Sequence, residues 1–257
     1  RLGDLLSVGV LVSPDPAKAV EYYRAAEEAG VAAAKLRLAE LTLRGEGVER
    51  DVQRGIDFLT EAGATNPASA YLKLGNVYAS DQYGVTDGAK ALHYLKLSAE
   101  AGNANAFVRI GELYRDGVAV EADQKKAFEA FEKAAVAGIS SAKLKLGEAY
   151  VRGLGVAPDV DRGMALISEA SAEENFVASA ALGGHLMSGI YTERRPEQAV
   201  RYLEQAGEGG NGSALYRLGI MYRDGDGVVS DPRKAIDYFL RAAASNVAAA
   251  QVDLAQS

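Results

Sequence analysis

The chain contains no cysteine. Disulfides, thiolate metal sites and a cysteine nucleophile are therefore excluded. The compartment is not decided by this, because a cysteine-free chain suits either redox environment. Histidine is scarce, with two in 257 residues, and proline numbers six. Positive charge is also in deficit: 28 Lys and Arg stand against 35 Asp and Glu, a net charge of −7. A nucleic-acid backbone needs clustered Lys and Arg, so nucleic acid is excluded as a partner and anionic membrane surfaces are disfavoured. No apolar run approaches the ~20 residues of a membrane span, so no transmembrane segment is expected. No signal peptide is visible at the start. Arg1-Leu2-Gly3 enters partway through a helical pattern, and Gln251–Ser257 stops partway through another. The chain reads as a fragment, which leaves undetermined whether an export signal or lipid anchor precedes Arg1.

Apolar residues make up 48% of the chain, enough to bury a continuous core. They fall at a fixed interval. A small residue following an apolar one recurs every 36 positions, at Gly3, Ala39, Gly75, Gly111, Gly147, Gly183, Gly219 and Ala255. A period in this range marks a repeat architecture, in which each unit cannot bury its apolar face alone. The expected organisation is a single array over 1–257. Its repeats run at about 1–33, 34–69, 70–105, 106–141, 142–177, 178–213 and 214–249, with a partial unit at 250–257.

In the last full unit, Ala214, Leu215, Leu218, Met221 and Tyr222 follow the 3–4 spacing of an amphipathic helix, here helix A. Gly225 and Gly227 break it. Asp231 before Pro232 is suited to N-cap a second helix, B, which carries Ala235, Tyr238, Phe239, Ala242 and Ala243 on its apolar stripe. Asn246 is placed to end it. The same stop falls at Gly30, Asn66, Gly102, Gly138 and Gly210, with Glu174 the exception and Asn175 next to it. Helix B keeps a small residue at Ala19, Gly55, Ala91, Ala127, Gly163, Ala199 and Ala235. Four positions later it has a large one: Tyr23, Leu59, Leu95, Phe131, Ile167, Leu203 and Phe239. Tyrosine recurs late in helix A at Tyr78, Tyr114, Tyr150 and Tyr222. The predicted fold is all-α: a right-handed α/α superhelical solenoid of about seven 36-residue helix-turn-helix repeats, with helix A on its inner wall.

These residues resemble the Sel-one-like repeat (SLR) family, relatives of the tetratricopeptide repeats. The resemblance is carried by Ala214, Leu218-Gly219, Tyr222, Gly225-x-Gly227-Val228, Asp231, Lys234-Ala235, Tyr238 and Ala242-Ala243. It recurs as Ala142, Leu146-Gly147, Tyr150, Gly153-x-Gly155-Val156 and Asp159, and it covers essentially the whole chain. The resemblance implies a non-enzymatic scaffold for other proteins. Bacterial members are often exported, and some serve exopolysaccharide secretion, signalling or host contact. Many exported members carry a cysteine pair in each repeat. This chain has none, so the subgroup proposed to bind β-lactams or peptidoglycan is disfavoured.

Few residues suggest chemistry. His185 occupies a slot held by Leu5, Leu41, Val77, Leu113 and Met221 in other units and reads as a satisfied core or groove histidine, with no second metal ligand apparent. His93 shares its column with Glu21, Asp57, Glu129, Arg201 and Asp237 and reads as solvent-facing. Asp224-x-Asp226-Gly227 faintly resembles the start of a calcium loop but lacks the distal Glu. The Gly-x-Gly elements lack the strand and third glycine of a phosphate loop. No nucleophile elbow or Ser–His–Asp set emerges. No catalytic residue, cofactor site or metal site is assigned.

One constellation stands out. Two residues before the anchor position, helix A carries Arg37, Lys73, Arg109, Lys145 and Arg217; one residue after it stand Glu40, Asn76, Glu112 and Glu148. Three apart, these columns share one helix face. They are either a row of intrahelical ion pairs on a wet surface or a polar groove that grips a partner segment. The fifth unit breaks the columns with Ala181 and Gly184, and the next has Ile220 in the acid column. His185, Met187, Ile190 and Tyr191 cluster beside this break and Tyr216 stands near Ile220, an exposed apolar patch that interrupts the charge, either as a docking site contacted through Met187, Tyr216 and Ile220 or as local decay of the repeat. The expected function is protein–protein scaffolding, in a bacterial envelope or exopolysaccharide secretion complex, periplasmic or outer-membrane-associated. The alternative is a regulatory adaptor for a signalling protein, cytoplasmic or secreted.

Overall fold

The computed structural model describes residues 15–255; Gly3 and Leu5 of the repeat pattern lie outside them. The chain divides into two compact units, Arg1–Ala130 and Phe131–Ser257. In the first, the described helices are α1 (Pro16–Glu28), α2 (Ala32–Arg44), α3 (Val52–Ala62), α4 (Pro67–Ala79), α5 (Gly88–Glu100) and α6 (Asn105–Asp116), with a 3-10 turn at Asp81–Tyr83. The division falls within α7 (Gln124–Val136). The second holds α8 (Ser140–Arg152), α9 (Val160–Ala172), α10 (Phe176–Ser188), α11 (Pro196–Glu208), α12 (Gly212–Asp224), α13 (Pro232–Ala244) and α14 (Ala248–Ala255). No strand occurs among the described residues. The fold class is an all-α helical-repeat solenoid.

In five repeats helix A packs on the helix B that follows: α2 on α3, α4 on α5, α8 on α9, α10 on α11 and α12 on α13. Two columns of the sequence meet inside the hairpin. A Cβ on Gly75 would fall 2.6 Å from Leu95 Cγ and 3.3 Å from the Ala91 carbonyl. Gly183 stands in the same relation to Leu203, and Gly147 to Ile167. The bulky residue of helix B therefore fills the space that the anchor glycine of helix A leaves open. Leu95, Ile167 and Leu203 are fully buried as a result. Burying such a side chain contributes roughly 1.5–3 kcal/mol, which the short helices need, because alone they are marginal.

The turn between helices A and B is built from capping chemistry. Gly225 takes the left-handed conformation (φ 74°) that closes α12, its N–H bonding the Met221 carbonyl. Asp231 caps α13, its side chain accepting from the N–H groups of Arg233 and Lys234 at 3.0 and 3.2 Å. Its own N–H donates back to the Tyr222 carbonyl at 2.8 Å and ties the two ends of the turn. Asp87 and Asp159 bond Tyr78 and Tyr150 in the same way, at 2.9 Å. The cation three residues after each cap then lies over the same tyrosine ring: Lys234 at 5.0 Å from Tyr222, Lys90 at 5.1 Å from Tyr78, and Arg162 at 4.4 Å from Tyr150. Each such cation–π contact contributes on the order of 0.5–1 kcal/mol at an exposed site.

The helix-B stops need two corrections. Gly30, Gly102, Gly138, Gly210 and Asn246 all have positive φ, as expected, but Asn66 does not (φ −139°). It stands immediately before Pro67, and a residue preceding proline is driven to extended geometry. At the exceptional position Glu174 itself takes the left-handed conformation (φ 59°). Asn175 does not end α9; it begins α10, its Oδ1 accepting from the Ala178 N–H at 3.1 Å.

Candidate functional site

Helix A is only three to four turns long and is anchored through its small residue, so side chains two before and one after that residue emerge on one face. In unit 1 this face forms a ladder that crosses repeats. Lys73 of α4 donates to Glu40 of α2, and Arg109 Nε of α6 donates to Asn76 Oδ1 of α4 at 2.9 Å. Within single helices Arg37 pairs with Glu40 at 3.0 Å, and Arg109 with Glu112. The expected row of intrahelical pairs is thus only half of the arrangement. Glu40 serves a base of its own helix and the base of the next repeat, and Asn76 serves the next repeat's base, because one period less the spacing between columns brings that base opposite.

Glu40 shows the electrostatic consequence. Burial pushes its carboxyl up, but the hydrogen bond and charge of Lys73, with those of Arg37, outweigh it and hold the group below the ordinary glutamate value. The ladder lines an open cleft of about 320 Å³, to which Glu40, Lys73, Asn76 and Arg109 all contribute. Leu43, Leu59 and Val77 line its apolar side, and Arg44, Ser80, Gln82 and Tyr83, four residues that were not singled out from the sequence, line it too. A signal for three of them was available: Ser80-Asp81-Gln82-Tyr83 stands where other repeats have a glycine pair. The 3-10 turn carrying Gln82 and Tyr83 is held by Arg50, which donates to the Gln82 carbonyl at 2.8 Å. Three cations and one carboxylate face this cleft.

In unit 2 the ladder changes. Lys145 lies with its ammonium 5.9 Å from the centre of the Phe131 ring. Glu148 meets His185, whose Nε2 stands 2.9 Å from Oε1. His185 is 8% exposed and takes the role that the base column lacks at Ala181. Burial raises the Glu148 carboxyl, yet the hydrogen bond and charge of His185, and the charge of Arg152, bring it below the ordinary value. Arg217 is exposed, with its guanidinium against the backbone at Gly184.

Of the apolar cluster expected from the sequence, Met187, Tyr216 and Ile220 are half-buried and packed on core residues, and Ile190 and Tyr191 are its exposed members. Tyr216 also donates its hydroxyl to Asp253 at 3.0 Å. The large apolar side chains exposed nearby are Ile190 (74%) and Tyr191 (38%). His93 is exposed. The carboxylates of the calcium-like stretch are engaged by arginine, Asp224 by Arg223 and Asp226 by Arg194. Among the described residues no cluster of three or more His, Cys, Asp or Glu could hold a metal ion. No described helix is long and apolar enough to cross a membrane.

A stack of helical hairpins with a polar ladder along one helix face defines a helical-repeat protein of the interaction type. The chain belongs to the Sel1 repeat family, whose model matches residues 1–31, 32–64, 68–103, 106–138, 140–175, 177–211 and 212–247. Sel1 repeat proteins are generally non-catalytic scaffolds for protein–protein interaction. No curated protein matches the chain. Among solved structures it is similar to a Sel1 repeat protein from Oxalobacter formigenes, at 28% identity and a TM-score of 0.77 over 99% of this chain and 74% of that one. It is also similar to a protective antigen of uropathogenic Escherichia coli displaying an SLR fold, at 27% identity and a TM-score of 0.69. That match takes in 98% of this chain, which spans 54% of the antigen's length. An immunity protein from Pseudomonas aeruginosa, at 22% identity and a TM-score of 0.55 over 84% of this chain and 82% of that one, shares the fold.

Proposed function

We propose that the chain is a non-enzymatic scaffold that receives an extended segment of a partner protein in the cleft of unit 1. The observation that carries this reading is the cross-repeat ladder, Lys73 to Glu40 and Arg109 to Asn76, lining an open cleft of about 320 Å³. Ion pairs on a fully wet surface contribute little and demand no cavity. Here half-buried donors and acceptors are held in register around one. Charge so placed sets on-rate and selectivity more than affinity.

The finer reading is a scaffold in a bacterial envelope or exopolysaccharide secretion complex, periplasmic or outer-membrane-associated. The likeness to a protective antigen supports export, since an antigen has to meet antibody. The test is affinity capture from the host cell envelope with the intact chain and with a Lys73→Glu, Arg109→Glu variant. Envelope or secretion proteins held by the first and lost by the second are expected. Capture of signalling proteins instead would replace this reading with a regulatory adaptor, and capture indifferent to the double variant would remove the cleft from the account.

A further inference from the structure

The ladder has one rung with a donor and no acceptor. Arg217 of α12 belongs to the base column, and two positions should supply its carboxylate. One is the acid column of the preceding repeat, as Glu40 serves Lys73, and it is Gly184. The other is the acid column of its own helix, as Glu112 serves Arg109, and it is Ile220. Neither can accept a hydrogen bond through its side chain. Among the described residues Arg217 is the one cation of the column without a partner. Its guanidinium has moved into the vacated space: a Cβ on Gly184 would fall 2.7 Å from Nη1. Ala181 and Met187, one turn either side of Gly184, and Ile220, one turn from Arg217, are half-buried.

We infer that Arg217 is the anchor for a carboxylate of a partner-protein segment, an aspartate or glutamate side chain laid across Gly184 where the repeat's own acid is missing. This rests on the scaffold reading but uses residues of unit 2 alone. Three features favour a carboxylate. The position is one that a carboxylate fills in the intact rungs. Guanidinium donors match carboxylate geometry in pairs. The half-buried apolar residues around it lower the competing hydration and strengthen the pair.

The test uses two immobilised arrays of short random peptides, capped at both ends, with glutamate at the centre of one and glutamine at the centre of the other. The wild-type chain is expected to hold glutamate peptides about tenfold more tightly, the effect of one good charged pair. Arg217→Gln is expected to erase that preference with little change in melting temperature, since Arg217 makes no hydrogen bond or ion pair within the described residues and is exposed. Arg217→Lys should keep part of it, having the charge without the fork. Gly184→Glu should abolish it by returning a carboxylate within the chain. A wild type that holds both arrays alike, or an Arg217→Gln variant that keeps the preference, overturns the anchor alone. A wild type that holds neither array overturns it as well. The scaffold reading stands or falls separately, on host capture with the Lys73 and Arg109 variants.

Discussion

His185 Nε2 lies 2.9 Å from Glu148 Oε1, and this contact repairs a rung that the base column leaves broken at Ala181. Residues four apart on a helix share a face, so moving the base one turn onward keeps it within reach of the same acid. The substitution of a core aliphatic by histidine in this repeat and the loss of its base are therefore one structural event.

Acid should act through the ladder carboxylates. Glu40 and Glu148 both titrate below the ordinary glutamate value of 4.5 in the folded chain. A depressed folded pKa contributes stability that is complete above the unfolded value and is lost as the pH falls through the folded one. Urea titrations should show stability falling below about pH 4.5. A Glu40→Gln, Glu148→Gln variant should have a flatter acid limb and a lower plateau near neutrality.

The contact between anchor glycine and helix-B residue predicts a non-additive pair. Gly75→Ala is expected to cost about 1–3 kcal/mol, because its methyl overlaps Leu95 in a closed core. Trimming Leu95 to Val in the same chain should recover part of that loss, so the double variant loses less than the two single ones added together. Additive losses in chemical denaturation would remove the contact from the account of the fold.

Overpacking with charge should be worse. Ala127 is 2% exposed on α7, and Ala127→Glu would bury a carboxylate without a partner. The expected loss is about 3–5 kcal/mol, seen as a large drop in melting temperature. An unchanged melting temperature would mean that the repeat register is misassigned.

Two positions carry suboptimal local chemistry and should yield stability. Glu174 holds a left-handed conformation that costs a side-chain-bearing residue about 1–2 kcal/mol, so Glu174→Gly should raise the melting temperature. Arg195 stands at an N-cap with no side-chain bond to the helix, where six other repeats place a bonded aspartate. Arg195→Asp should add about 1 kcal/mol.

Gly184→Glu should restore the missing acid of the ladder. The side chain it would crowd is the flexible end of Arg217, which can move aside. A gain of no more than about 1 kcal/mol is expected at low salt, shrinking as salt rises.

The 36-residue spacing, the helix A and helix B stripes and the glycine and aspartate caps were all readable in the sequence, because each depends on interactions within a few residues or on a strict period. Asn66 and Glu174 were misread because their backbone angles answer to neighbours, a following proline and a required chain reversal, rather than to their own propensity. The charged columns and their pairing within a helix were visible too, but the pairing across repeats was not. Spacing along one helix suggests partners three residues away, while Lys73 and Arg109 also reach back across a whole repeat. That distance is covered only when hairpins stack.

By itself the order of residues determined the hairpin and its cadence, since close helix packing admits only small side chains opposite large ones. Tertiary structure alone decided which charges find partners, which apolar side chains stay covered and where a cleft opens. Those outcomes depend on the offset between successive hairpins, a quantity that no single repeat contains.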